Sequence, residues 1–121
     1  MSKYGGLSGF LQHIRDCQKP LENDMHVLMI VAMGAFYDPD PERPMGIQLP
    51  VDEYSCALNE ERWQNWLRHD PVQMIERKDV QNNLKRLKML FIDCGDRDQY
   101  QLHFGSRQLT QRLIDLNIAH Q

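Results

Sequence analysis

No apolar run in this sequence is long enough to cross a bilayer. The longest, Val27 to Phe36, is about half of the ~20 residues that a spanning helix needs, and it reads as a buried helix instead. Cysteine is scarce and unpatterned: Cys17, Cys56 and Cys94 are an odd number with no paired spacing. With no secretory signal at the N-terminus, that favours a reducing, cytoplasmic setting over a disulfide framework. Basic residues do not dominate. Fourteen Lys and Arg against 17 Asp and Glu leave a formal charge of -3, so there is no electrostatic footprint for nucleic acid. Repeats, linkers and low-complexity tracts are also missing. The 121 residues suffice for one domain with a modest core.

Helical patterning fills most of what is there. Ser8 can cap a short helix with Phe10, Leu11 and Ile14 on one face, stopped before Pro20. Asn23 or Asp24 can cap a second, from Met25 to about Phe36, which is apolar nearly all round and so must be covered by other elements. Pro39, Pro41, Pro44 and Pro50 make Tyr37 to Pro50 an ordered loop. Asn59 to His69 is amphipathic, with Trp63, Trp66 and Leu67 at helical spacing, and Asp70-Pro71 ends it. Asp79 can cap a short helix that brings Val80, Leu84 and Leu87 together.

The most informative stretch follows. Met89-Leu90-Phe91-Ile92 runs into the turn Asp93-Cys94-Gly95-Asp96-Arg97-Asp98, and a helix-period segment extends from about Leu102 to Leu116. A run apolar on both faces suits a strand covered on both sides, as in a parallel sheet. A carboxylate just past the C-terminal end of such a strand sits where open α/β sheets place their sites, which singles out Asp98. Asp93 and Asp96 read as strand-end and turn residues. The three aspartates lack the glycine and distal Glu of a calcium loop, so no metal is assigned. The following helix should bury Leu102, Leu109, Leu113 and Leu116, and Ile118 to Gln121 approaches a further strand.

Gly95-Asp96-Arg97-Asp98 followed by Leu102-His103-Phe104-Gly105 resembles the esterase-D-like branch of the α/β-hydrolase superfamily, in which a strand ends in Gly-x-x-Asp before Leu-His-x-Gly and an amphipathic helix. Tyr37-Asp38-Pro39-Asp40-Pro41, Leu49-Pro50 and Trp66-Leu67-Arg68-His69-Asp70-Pro71-Val72 look like the preceding region of the same family, so the resemblance spans about the last two-thirds of the chain. It implies an α/β fold, with residues 1–86 a helical and loop region and 87–121 a strand, acid turn and helix. Because the chain offers only one convincing strand, we expect a C-terminal fragment of a hydrolase completed by self-association or a partner chain. The implied parent chemistry is hydrolysis of a small carboxylic ester or thioester through an acyl-serine intermediate, with no cofactor, no nucleic acid and no membrane partner.

Within that scheme only Asp98, as triad acid, finds a place. The nearest approach to Gly-x-Ser-x-Gly is Gly6-Leu7-Ser8-Gly9-Phe10, where phenylalanine replaces the second glycine and no apolar strand precedes; helix cap is the better reading of Ser8. A base is missing: His103 comes too soon after the acid, His120 resembles a structural position, and His13, His26 and His69 lack metal-ligand spacing. Cys94 reads as a small buried hydrophobe, and Trp63 and Trp66 as core or interface anchors. Two rivals remain: a non-catalytic remnant that binds a partner or a second copy, and a complementing half of a split esterase.

Overall fold

The computed structural model describes residues 2–43 and 45–121; Met1 and Pro44, the latter within the expected proline-rich loop, lie outside them. The described residues form a short 3-10 turn, Ser2–Tyr4, and six helices: α1 (Gly6–Asp16), α2 (Glu22–Tyr37), α3 (Glu60–Leu67), α4 (Pro71–Met74), α5 (Lys78–Lys85) and α6 (Leu102–Asp115). They fall into two compact units, Met1–Leu67 and Arg68–Gln121.

The expected α/β architecture is overturned. Among the described residues there is no sheet, only the isolated bridges Pro39–Ile47 and Val51–Leu58. Met89 to Ile92 is not a strand covered on both faces. Leu90 and Ile92 pack into the core of the second unit, while Met89 and Phe91 are 72% and 66% exposed. The four apolar residues thus serve one face and leave the other bare, and no strand ladder among the described residues flanks them. What pairing exists is two backbone hydrogen bonds: Ile92 N–H donates to the Gln121 carbonyl at 2.8 Å, and Gln121 N–H to the Leu90 carbonyl at 2.9 Å. One residue serving both neighbours of a third is the spacing of parallel pairing, but two bonds do not make a sheet.

In the first unit, α1 begins at a left-handed residue, Gly5, and not under a Ser8 cap. Its orphan Leu7 N–H donates to Glu53 Oε2 at 2.7 Å, so the cap comes from a distant loop. Gly9 is obligatory, because a Cβ there would lie 1.7 Å from the Tyr4 carbonyl oxygen. Leu7, Phe10, Ile47, Leu49 and Trp66 are buried, and Gly34 of α2 approaches Leu49 closely. The cover expected over all of α2 is incomplete: Met25, Met29, Ile30 and Phe36 stay exposed.

The loop after α2 is ordered by charge as well as by proline. Arg62 of α3 donates to Asp38 at 2.8 Å and to Asp40, and Asn65 donates to the other oxygen of Asp38 at 2.8 Å. Asn59 Oδ1 accepts the Arg62 N–H, which caps α3 one residue inside the expected start.

The second unit is built on Ile75, Leu113 and Ile118, with Leu84, Leu90, Ile92, Leu109 and Leu116 packed against them. Asp70 caps α4 by accepting the Val72 N–H at 2.9 Å, with Pro71 at the first helical position, where its missing N–H costs nothing. Asp79 does not cap α5 but pairs with Arg77. Leu102, expected on the inner face of α6, is exposed.

Candidate functional site

Asp98 sits in the turn that leads into α6. Its N–H donates to the Gly95 carbonyl, and its carbonyl accepts the N–H of Gln101, a left-handed residue. Its carboxylate Oδ2 accepts two backbone hydrogen bonds, from Tyr100 N–H and Leu102 N–H, each at 2.9 Å. One donor left over at the start of α6, the Leu102 N–H, and the Tyr100 amide of the turn are satisfied this way, so one function of Asp98 is to fix the turn and the first residue of α6. Oδ1 accepts no hydrogen bond among the described residues and is available to a further donor. The side chain is half-buried.

Beside this turn lies an open cavity of about 300 Å³, lined by Asp93, Cys94, Asp96, His103, Ser106 and Arg107 among others. The lining does not include Asp98. The buried Nδ1 of His103 has no partner among the described residues, and the imidazole packs against Phe104. Cys94 turns its thiol to the neighbouring Gly95 carbonyl at 3.6 Å, a local contact that offers no activation. His120 is engaged by the Ile118 carbonyl at 2.8 Å. No group of three His, Cys, Asp or Glu among the described residues is arranged to hold a metal ion. The cavity thus sets His103 beside Asp93, Cys94 and Asp96, and among the described residues no nucleophile or base is hydrogen-bonded to Asp98.

Ser8 is exposed on the first turn of α1 and lines a cleft of about 320 Å³ with Arg43, Met45, Asp52 and Glu53. The turn is helical from Gly6 onward, so it is not the strand-to-helix elbow that strains and presents a nucleophilic serine.

In the sequence Asp24 stands out only as a candidate helix cap, and nothing there points to the cluster it joins. Asp24, 1% exposed, accepts from Tyr4 Oη at 2.6 Å and from Leu21 N–H at 3.0 Å, and lies 3.1 Å from His13 Nε2. The Tyr4 hydroxyl above all, then His13 and the Leu21 amide, hold its carboxyl at about 2, against the opposing cost of burial. Tyr4 and His13 stack at 4.5 Å between ring centres. Positions 4, 13 and 24 lie in three separate elements, so no local pattern in the sequence announces them.

The chain matches no family model and no curated protein. Among the described residues no helix is long and apolar enough to cross a membrane, and Cys17, Cys56 and Cys94 are free thiols.

Proposed function

We propose that this chain is the acid-bearing part of an esterase-D-like serine hydrolase and has no ester turnover by itself. The observation that carries this reading is the asymmetric anchoring of Asp98: Oδ2 is tied to two backbone amides while Oδ1 remains open. That is what a triad acid requires, since one oxygen fixes the carboxylate and the other receives an imidazole N–H. The order of the surrounding parts also supports this reading, although Met89 to Ile92 is not a sheet strand: this apolar segment, the Gly95–Asp98 turn, α6, and a return at Gln121 beside Leu90 and Ile92.

In the completed enzyme a serine Oγ attacks the ester carbonyl and its proton passes to the histidine. The C–O bond to the alcohol then breaks as the histidine returns that proton, and water releases the acyl group by the same route. Asp98 touches neither serine nor ester. It orients the imidazole and stabilises its charged form. Serine and histidine come from outside this segment, the substrate is a small ester or thioester, and no cofactor enters. A cytoplasmic setting belongs to the same proposal.

The test transplants residues 87–121 into an esterase-D-like enzyme and compares Asp98→Asn with Asp96→Asn. Asn at position 98 keeps an oxygen for both amides but lacks the charge, so turnover should fall on the order of a thousandfold or more. Asp96→Asn should matter little. The reverse ranking would remove Asp98 from the mechanism. A second reading, a partner-binding remnant without chemistry, is favoured by the bare Leu21, Met25 and Met29 stripe at the start of α2.

A further inference from the structure

We propose that two copies of this chain pair antiparallel along the open backbone edge of Met89, Phe91 and Asp93, with Phe91 facing Phe91 across a twofold axis. From Met89 to Gly95 the side chains alternate between exposed and half-buried without a break, which is the period of an extended chain. In such a chain the polar groups of alternate residues point to opposite edges. Leu90 C=O and Ile92 N–H are spent on Gln121. The backbone groups of Met89, Phe91 and Asp93 therefore face the other edge, and none of them is hydrogen-bonded among the described residues. An extended segment with one edge satisfied and the other open, carrying exposed Met and Phe, is a template for another extended segment.

Charge identifies the occupant as a second copy. Lys85, Arg86 and Lys88 precede the segment, and Asp93, Asp96 and Asp98 follow it, with Arg97 the one cation among them. A copy lying antiparallel sets each basic end beside an acidic end, twice over by symmetry, whereas a parallel copy would set like against like. The register also follows. Only a pairing centred on Phe91 engages all three open residues of both copies: Phe91 with Phe91, and Met89 with Asp93 in each direction, about six hydrogen bonds in all. It also keeps Leu90 and Ile92 of both copies on the same side, over their own cores. The pairing is independent of any catalytic role for Asp98.

The full chain is followed by sedimentation velocity across a dilution series, with a reversible monomer–dimer equilibrium expected. Phe91→Lys places two like charges face to face and should raise the dissociation constant at least tenfold, with helix content by circular dichroism unchanged. Met29→Lys on α2 should leave it unaltered. Register is read by oxidation in a background of Cys17→Ser, Cys56→Ser and Cys94→Ser. Phe91→Cys brings two Cα atoms to about 5.5 Å, within disulfide reach, and should cross-link rapidly. Met89→Cys lies about 14 Å from its own copy and should cross-link at least tenfold more slowly. A chain that stays monomeric throughout overturns the proposal. So does a dimer lost in Met29→Lys but not in Phe91→Lys, or one in which positions 89 and 91 cross-link equally fast. Should Phe91→Lys fail to fold, the two cysteine variants decide.

Discussion

Asp24 shows how one buried carboxylate can make a unit acid-sensitive. In the folded chain its carboxyl titrates at about 2 rather than its ordinary 3.8, chiefly through the Tyr4 hydroxyl. Between those two values the unfolded chain binds more protons than the folded one, so stability rises with pH there. The contribution is complete above about pH 4 and fades as pH falls through 2. Urea denaturation followed at a series of pH values should show this slope, and Asp24→Asn should flatten it. Asp98 differs in kind: its hydrogen bonds are local, reaching Tyr100 and Leu102, and could be anticipated from a Gly-x-x-Asp turn before a helix. Tyr4, His13 and Asp24 could not, because they meet only once α1 and α2 have packed.

At the scale of elements, the sequence signals failed where tertiary contacts replaced local ones. Helices α1, α2, α3, α5 and α6 lie close to their patterned segments, since burial at three- and four-residue spacing is a local property. The caps moved. Ser8 and Asp79 are good capping residues by type, yet Glu53 serves α1 from across the unit and Asp79 is drawn to Arg77. The strand misled for a related reason. Four apolar residues in a row look the same whether both faces or only one is covered, and only packing tells them apart. Gly9 carries the strictest local requirement in α1, through its approach to the Tyr4 carbonyl. Gly9→Ala should displace the Ser2–Tyr4 turn and cost about 1–3 kcal/mol, read as a lower urea midpoint with unchanged slope.

For the whole molecule, helices replace the α/β plan that the family resemblance implied, while the acid turn keeps its place between an extended segment and a helix. A serine triad needs three groups converging within hydrogen-bond reach, and among the described residues of the second unit Ser106, His103 and Asp98 are not hydrogen-bonded to one another. Incubated with an activated acetyl ester, the purified chain should therefore release alcohol no faster than buffer, and Ser8→Ala should change nothing. Turnover that vanishes in Ser8→Ala would reinstate the N-terminal serine as a nucleophile. A Gly-x-Ser-x-Gly elbow is a contiguous motif, so its nearest approach, Gly6-Leu7-Ser8-Gly9-Phe10, can be judged from the sequence alone. The bare stripe of α2 cannot, since an all-round apolar helix predicts cover without saying whether the chain provides it.

The Arg62 fork across Asp38 and Asp40 bears on how the chain meets a protease. Residues 41–43 are exposed and free of helix, the kind of site where nicking begins, yet the segment is tied at its base by a guanidinium and again by Asn65. A protease needs several residues drawn out into its cleft, so cutting waits on release of that tie and measures how often it opens. Arg62→Lys replaces a rigid two-pronged donor with a point charge that holds one carboxylate well and the other poorly. A glutamate-specific protease should then cut after Glu42 several-fold faster, while α1 and α2 keep their helical signal. Digestion at equal rates in both proteins would mean that the loop's own backbone hydrogen bonds, such as Asp40 N–H to the Gly46 carbonyl, hold it shut without the fork.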